Sequence, residues 1–261
     1  DTLVRLMVGH SLAEQPRRER LEHGPELLRV EGLSIPGVLR DVSFEIHGGE
    51  VLGVFGLMGA GQYELSRAVF GLEPDVSGSV FVEGREVDIQ DPSTAIANGL
   101  GLLTRDRRGE LVPVQPIPAN VTLADVGQRR GTGLLDGRAE TRAAEKHVKD
   151  LAIQPPYLDR PVMHLSGGNQ QKVVLARWLH SRARMLIFDE PTRGIDVGAK
   201  TEVFTLMTQL LEEGVGVLMI SSEMPELLEM ADRILVMREG RIAAELEGQR
   251  ADQEELLRRA S

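Results

Sequence analysis

The chain has 261 residues, of which 41% are hydrophobic and 27% charged, values that are ordinary for a folded domain and exclude a fibre or a disordered chain. Its formal net charge of −10 repels phosphate backbones and argues against a nucleic-acid surface. The sequence contains no cysteine, which rules out disulfides and thiolate metal sites and fits a reducing compartment.

Two arginine-rich stretches, 17–20 and 105–108, are short and are interrupted by Glu19 and Asp106. Short charge runs are usually solvated, so we expect each stretch to be a charged face in contact with water. No apolar run approaches the ~18 residues that a membrane span requires, and no signal peptide is recognisable. Because the sequence begins with Asp1 rather than Met, we expect a piece of a longer polypeptide.

The first half of the chain predicts short strands and a looser insertion. Residues 1–23 are expected to be a linker, because a polar run occupies 14–23, and the folded domain is expected over 24–261. Apolar alternation and glycine-containing turns then predict strands in this order: 27–30, 42–46, 51–55, a hairpin over 78–87, and a buried strand over 100–103. Loops rich in proline and glycine, followed by a helical pattern over 139–151, predict a small helical subdomain at about 105–165.

The second half alternates helical and strand patterns. Helices are predicted over 169–181, 198–213 and 225–230, and buried strands over 185–188 and 216–220. A final hairpin, 234–237 and 241–245, turns at Glu239 and Gly240. This alternation predicts an α/β fold with a mostly parallel sheet and helices on both faces.

A glycine-rich turn follows the strand over 51–55, and a helical pattern follows the turn. Its predicted phosphate-facing positions are Gly56, Gly59, Ala60 and Gly61. Strand, glycine turn and helix together can direct backbone N–H groups and a helix N-terminus at a phosphate. A glycine-rich turn without a ligand would show the same residues, so this pattern alone leaves both interpretations open.

The spacing of the turn fits G-x-x-x-x-G-K-[ST], but its last two positions differ. Gln62 stands in place of the lysine, and it offers a neutral donor where the lysine offers a full charge. Tyr63 stands in place of the serine or threonine and is too long to ligate Mg²⁺ at ~2.0–2.1 Å. We therefore expect nucleotide binding here to be weak and poorly dependent on Mg²⁺.

A second glycine-containing segment precedes the helix predicted over 169–181. It consists of Leu165, Ser166, Gly167, Gly168, Asn169 and Gln170, followed by Gln171 and Lys172. Ser166 can cap the helix while the glycine amides face an anion. This segment resembles the LSGGQ signature of ABC (ATP-binding cassette) ATPases, and its LSGGNQQK form resembles the sugar-importer subgroup.

The resemblance extends to the segment after the strand over 185–188. Asp189 and Glu190 are similar to the family's Walker B carboxylates, which implies that Asp189 holds Mg²⁺ through water and that Glu190 acts as the base on the attacking water. The following PTRGID resembles the D-loop, with Gly194 and Asp196 in its pattern. Carboxylates after a buried strand can also be simple helix caps, but the order of the motifs favours the family.

Three positions depart from the family pattern. Ser222 stands where the switch histidine belongs, and the segment 104–107, with Arg105, has no glutamine where the glutamine loop is expected. No aromatic ring lies over 33–39, where the family often stacks adenine. Each could be neutral variation, yet together with Gln62 and Tyr63 they favour a degenerate hydrolysis site.

The resemblance covers nearly the whole chain and is closest to the second, C-terminal cassette of tandem ribose-type importer ATPases. It implies a P-loop NTPase ABC cassette with a mostly parallel core sheet, an antiparallel β subdomain and a helical subdomain. It implies ATP and Mg²⁺ as ligands, with Ser222 at a degenerate catalytic position and the signature segment serving the ATP of a preceding cassette. Its implied partners are that cassette, membrane permease subunits and, indirectly, a periplasmic or extracellular sugar-binding protein, with the chain on the cytoplasmic face of the membrane.

Two other functions remain open at this point. A self-sufficient ATPase that pairs with itself would show robust Mg²⁺-dependent turnover. A non-transport ABC protein of DNA repair or translation would bind nucleic acid in a salt-sensitive way, which the acidic charge and the lack of a long coiled-coil insertion disfavour.

Overall fold

The computed structural model of the chain describes residues 21–125 and 137–261, except for the side chains of Arg107 and Arg108. Most of the expected linker, residues 1–20, therefore lies outside the described residues. The described end of that segment contacts the domain. Leu21 packs against the hydrophobic core, and the ring of His23 stacks on that of His47 with 6.0 Å between centroids.

The first sheet along the chain is antiparallel. Among the described residues it has four strands in the order β2-β1-β4-β5. Their bounds are Glu26–Ile35 (β1), Leu39–His47 (β2), Ser77–Val82 (β4) and Arg85–Glu86 (β5). Buried and exposed side chains alternate through most of β2, as expected for a sheet with one face on the core and one towards water. The predicted hairpin over 78–87 is confirmed as the antiparallel pair of β4 and β5.

The larger sheet lies at the centre of the domain. Within the described residues it has six strands in the order β10-β9-β3-β8-β7-β6. Their bounds are Val51–Gly56 (β3), Leu100–Leu103 (β6), Met185–Asp189 (β7), Gly216–Ile220 (β8), Arg233–Arg238 (β9) and Arg241–Glu247 (β10). The neighbours from β6 to β9 pair in parallel and only β10 pairs antiparallel. The prediction of a mostly parallel sheet is therefore confirmed.

The central strands are continuous apolar runs because they are buried along their whole length. Every residue of β3, β6, β7 and β8 is buried, because both faces of a central parallel sheet are covered and no polar side is left to alternate with. Few aromatic residues are available, so the core is mainly aliphatic. Phe188 is among its largest fully buried side chains.

The helices pack against this sheet and against one another. Their bounds are Gln62–Val69 (α1), Pro92–Ala97 (α2), Arg107–Glu110 (α3), Ile117–Val121 (α4), Gly137–Asp150 (α5), Gly167–His180 (α6), Val197–Glu212 (α7), Met224–Met230 (α8) and Gln253–Ala260 (α9). Between β6 and α6 the described residues form helices, 3-10 turns and loops, with a bridge that pairs Pro116 and Pro161. In the ranges that the structure describes, none of the helices combines the length and apolarity needed to traverse a bilayer.

Candidate functional site

Three predicted site segments meet at one edge of the large sheet. Val54 of β3 pairs with Ile220 of β8, and Ile220 pairs in turn with Asp189 of β7. The carboxyl ends of these parallel strands therefore lie side by side, as ligand-binding edges of α/β sheets do. The glycine-rich turn, the two acidic residues and the loop with Ser222 lie at or directly after these ends.

The glycine-rich turn has the backbone that its glycines permit. Gly59 and Gly61 have φ values of 84° and 101°, in the left-handed region that side chains disfavour. A Cβ at Gly61 would also lie 2.7 Å from Cδ2 of Leu39, so the antiparallel sheet packs closely against the turn. Ala60 is buried and its N–H donates to the carbonyl of Leu57 at 2.9 Å. The turn leads into α1, as the phosphate-loop pattern predicts.

The side chain of Gln62 folds back over this turn. Its Nε2 donates to the carbonyl oxygen of Gly56 at 3.0 Å and to that of Leu57 at 3.3 Å. Its Oε1 is buried and has no hydrogen-bond partner. The amide that replaces lysine is thus used to brace the loop, and it directs no charge outward.

Arg105 contacts both Tyr63 and Asp189. Its guanidinium carbon lies 3.7 Å from the centroid of the Tyr63 ring, and its Nε lies 3.3 Å from Oδ2 of Asp189. The expectation that Arg105 belongs to a solvated charged face is wrong, because a buried carboxylate and an aromatic face draw its guanidinium into the site. Burial raises the pKa of Asp189, the positive charge of Arg105 opposes that rise, and the nearby Glu190 adds to it.

The two residues predicted as catalytic touch one another. Oε1 of Glu190 accepts a hydrogen bond of 2.8 Å from the backbone N–H of Ser222, and the backbone N–H of Glu190 donates to the carbonyl of Ile220 at 2.9 Å. Glu190 has a φ of 54°, an unusual conformation for a residue that is not glycine and one that clusters at functional sites. The contact is made by the backbone of Ser222, so its serine side chain is not needed for it.

The signature segment begins α6 and is accessible. Ser166 is exposed and caps the helix, since its hydroxyl accepts hydrogen bonds from the N–H of Asn169 at 3.4 Å and from its Nδ2 at 2.9 Å. Oδ1 of Asn169 in turn accepts from the N–H of Gln154 at 2.7 Å, and Nε2 of Gln170 donates to the carbonyl of Val162 at 3.2 Å. The capping predicted from the sequence is confirmed.

An open cavity of about 710 Å³ lies between Arg105 and the signature segment. Arg105 and Asp106 line one side, and the signature segment lines another through Leu165, Gly167 and Gln170. Gly194 of the D-loop, which has a φ of 69°, also contributes to its wall. The structure therefore places Arg105 and the signature segment on the walls of one cavity.

The sequence analysis did not predict a buried polar cluster near the D-loop, in which one carboxylate contacts two hydroxyls and a lysine. Glu226 is 1% exposed and accepts hydrogen bonds from the hydroxyls of Thr192 and Ser221. Lys200 of α7 lies 2.9 Å from its Oε1. Asp196, the other D-loop residue, caps α7 by accepting from the N–H of Ala199 at 3.0 Å.

The residues at the sheet edge fit a phosphate chain better than they fit Mg²⁺. The glycine turn and the start of α1 provide the backbone arrangement for an anion. For the metal ion, the short hydroxyl is replaced by Tyr63, and the buried carboxylate of Asp189 already faces the cation of Arg105. A divalent ion at this carboxylate would be repelled by the guanidinium, so this set of donors does not fit Mg²⁺.

Comparisons with known proteins agree with this architecture. A family model described as "ABC transporter" matches residues 39–193. The chain is 51% identical over 259 residues to a ribose import ATP-binding protein of Rubrobacter xylanophilus, covering 98% of this chain and 52% of that protein. It is 41% identical over 258 residues to the ribose import ATP-binding protein of Bacillus subtilis, with 98% and 52% covered. The chain therefore spans about half the length of the curated relatives it matches.

Solved structures show the same fold at low sequence identity. A nucleotide-free ATP-binding cassette from an ABC transporter superposes with a TM-score of 0.75 at 21% identity, covering 90% of this chain and 94% of that one. An ATP-binding cassette in its ADP conformation superposes with a TM-score of 0.73 at 22% identity, covering 89% and 93%. The chain has the ABC cassette fold and belongs to the ABC transporter family.

Proposed function

We propose that the chain is the C-terminal cassette of a monosaccharide importer, which completes the ATP site of a preceding cassette while its own phosphate loop holds Mg-ATP weakly. The sugar class is supported by the names of the relatives, which include a putative ribose/galactose/methyl galactoside import ATP-binding protein of Agrobacterium fabrum at 44% identity. The preceding cassette is supported by the length of these relatives, since about half of each lies outside the matched region.

The observation that carries this proposal is the contrast between the two anion-facing segments. Ser166 is exposed and caps a regular helix, whereas Gln62 folds onto its own loop and Arg105 is paired with Asp189. The first segment is ready to meet a phosphate from outside the chain. The second lacks both the lysine charge and the metal-ligating hydroxyl.

The signature segment can act on a partner's ATP through the start of α6. The first amides of a helix have no intrahelical acceptor, and the helix dipole favours an anion beside them. Ser166 occupies the N–H of Asn169, which leaves the amides of Gly167 and Gly168 to face a phosphate. Closing the two cassettes around ATP would then shift the conformation of separate permease subunits, without any contact between this chain and the sugar.

The remaining partners follow from this role. The permease subunits would dock the chain at the cytoplasmic face of the membrane, and a periplasmic or extracellular sugar-binding protein would act only through them.

Glu190 would sustain slow ATP hydrolysis at the chain's own site, because its carboxylate lies at the sheet edge beside Asp189 and accepts a hydrogen bond from the N–H of Ser222.

The test is the ATP turnover of the two-cassette polypeptide carrying Ser166→Ala. We expect turnover to fall roughly tenfold or more, because a donor group facing the transition-state charge is disturbed. Asp252→Ala is the matched control. Asp252 caps α9 by accepting from the N–H of Glu255 at 2.8 Å, so this change also removes an N-cap, at a cost of about 1 kcal/mol. Helix α9 packs mainly on β9, β10, β3 and α8, and none of these elements contains a signature residue.

Three outcomes would contradict the proposal. Turnover that is unchanged by Ser166→Ala would remove the signature role, and an equal fall in both variants would assign the effect to folding. Brisk Mg²⁺-dependent turnover by this chain alone would instead favour a cassette that pairs with itself.

A further inference from the structure

Within the described part of the chain, Arg105 is the cationic side chain that pairs with Asp189 at the phosphate site. Its guanidinium is held on one side by the Tyr63 ring and on another by Asp189. Its side chain is nevertheless 34% exposed and lines the cavity shared with the signature segment. A cation that is fixed in place and still open to a cavity is suited to bind an anionic ligand.

Two other side chains at the loop, those of Gln62 and Arg67, are already used. Both donor contacts of Gln62 go to the carbonyls of Gly56 and Leu57. Arg67, which also faces the Tyr63 ring at 5.4 Å, is bound by Glu73 and by the carbonyl of Leu72. Of the two arginines that face the Tyr63 ring, Arg105 is therefore the one available to a phosphate chain at this site.

We propose that Arg105 is the phosphate-binding cation of this chain's own site, and that the site takes the di- or triphosphate of a nucleotide without a divalent metal ion. This inference deepens the weak Mg-ATP site of the proposed function and does not depend on the signature role.

The chemistry of the guanidinium explains why a metal ion is not needed. Arginine is always charged and presents a planar fork of N–H donors that matches phosphate oxygens in pairs. The Nε edge faces Asp189, which leaves the terminal nitrogens for a phosphate. The Tyr63 ring fixes the plane of the guanidinium, so less side-chain entropy is lost when a ligand binds. Tyr63 thus takes a new role at a position where its phenol cannot ligate Mg²⁺.

Recognition at this site is expected to rest on the phosphates. No aromatic side chain occurs in the segment 33–39 to stack an adenine, whereas the glycine turn and Arg105 are both suited to bind an anion. Tripolyphosphate should therefore compete with ATP, and AMP should compete poorly.

The experiment is equilibrium binding of ATP to the 261-residue chain, once in EDTA and once with excess Mg²⁺. We expect the dissociation constant in EDTA to be equal to or lower than that in Mg²⁺. Arg105→Gln should weaken the binding in EDTA by about tenfold or more, as the loss of a charge-assisted hydrogen bond does. Arg105→Lys should restore part of this affinity, because it keeps the charge and loses the fork.

Arg184→Gln is the matched control. Arg184 forms a surface ion pair with Glu83 and lies before β7, at the opposite end of that strand from Asp189. Its loss should leave the dissociation constant unchanged. Urea unfolding midpoints of all three variants show whether each is folded.

The alternative is that Arg105 blocks a metal site. In that case Arg105→Gln would tighten binding in Mg²⁺ and not weaken it in EDTA, and the proposal would be overturned. It would also be overturned if the wild-type chain bound no ATP in EDTA, or if AMP competed as well as tripolyphosphate. None of these results bears on the Ser166→Ala test, so failure here and failure of the signature role are distinguishable.

Discussion

Lys200 of α7 lies 2.9 Å from Oε1 of Glu226, the buried carboxylate at the start of α8. The other oxygen of Glu226 accepts a hydrogen bond of 2.9 Å from the hydroxyl of Ser221, and Thr192 of the D-loop also donates to the carboxylate. One buried anion therefore ties the loop after β7 to the loop after β8. The two loops that carry Glu190 and Ser222 cannot move apart without breaking these contacts.

Removing this anion should be costly. Glu226→Leu leaves the buried hydroxyls of Ser221 and Thr192 without their acceptor and removes the buried carboxylate that pairs with Lys200, so we expect a loss of about 3–5 kcal/mol in the free energy of unfolding. Glu226→Gln keeps an acceptor oxygen and should cost less. Urea unfolding measures both. Glu247→Leu is the control, because its carboxylate is 53% exposed in a pair with Arg250, and an exposed pair contributes at most about 1 kcal/mol. A small effect of Glu226→Leu would show that the cluster does not stabilise the fold.

Glu110 should make stability depend on pH. Burial raises the pKa of Glu110 to about 7, although the N–H of Thr104 and the charge of Arg177 oppose the rise. The folded state thus binds a proton more tightly than the unfolded state, so stability is greatest below the unfolded pKa and falls as the pH rises from about 4.5 to 7. At about 1.4 kcal/mol per pKa unit, the loss is on the order of 3 kcal/mol.

Glu110→Gln tests this dependence, because the amide oxygen can still accept from the N–H of Thr104. We expect the variant to be more stable than the wild type above pH 7, with a flatter profile between pH 4.5 and 7, in urea unfolding across that range. Glu212→Gln, at an exposed position near the end of α7, should leave the profile unchanged. Parallel profiles for wild type and Glu110→Gln would exclude Glu110 as the titrating group.

The elements that the sequence predicts well are those with a strong local pattern. The strand Gly216–Ile220 is a short apolar run between glycine and polar residues, and its predicted and observed bounds agree. Helix α6 begins two residues before its predicted start, because Ser166 already acts as its cap. Helix α9 was not predicted, although Asp252 as N-cap and Glu255 three residues later form a recognisable start signal.

The contacts of the site were less predictable. Motif order indicates that the phosphate turn, the Walker B carboxylates and the switch position share an edge of the sheet, and the parallel pairing of β3, β8 and β7 brings them together. Nothing local indicates that Arg105 would lie on Tyr63 and Asp189, since these three residues lie at or beyond the ends of three different strands. A charge run read along the chain predicts a solvated face, and only the fold supplies the buried carboxylate that pairs with Arg105.

The turn at Gly240 should tolerate no side chain. Its N–H donates to the carbonyl of Ala60 at 3.0 Å and its carbonyl accepts from the N–H of Arg40 at 2.8 Å, so it joins the phosphate turn to the antiparallel sheet. A Cβ here would lie 2.0 Å from the carbonyl oxygen of Val38. Gly240→Ala should therefore cost roughly 2–4 kcal/mol, from the positive φ and the clash together.

The matched control for this change is Gly84→Ala. Gly84 has a similar φ of 74°, and a Cβ there would meet nothing within 4 Å, so only the conformational cost of about 1–2 kcal/mol remains. Urea unfolding of the two variants separates the clash from the backbone strain. Equal losses would show that the contact between the two sheets at Gly240 can relax.

Gly168 has a packing role besides any role in the signature segment. A Cβ at Gly168 would lie 2.9 Å from Cβ of Ala199, where the start of α6 meets the start of α7. Gly168→Ala should therefore push the helices apart and destabilise the fold by about 1–3 kcal/mol. Ala199→Gly alone should cost about 1 kcal/mol, because glycine is a poor helix former.

The double variant separates packing from function. If the two Cβ atoms compete for one space, the double variant Gly168→Ala, Ala199→Gly should lose less stability than the two single variants lose in sum. We expect a coupling free energy of about 1 kcal/mol or more in a double-mutant cycle measured by urea unfolding. Additive losses would exclude the helix contact as the reason for glycine at this position.

ATP turnover of the two-cassette polypeptide then tests whether Gly168 also has a role in the signature segment. Turnover restored together with stability assigns Gly168 to packing, whereas turnover that stays low in the stable double variant assigns it to the partner's phosphate, since the added methyl group still crowds the amides at the start of α6.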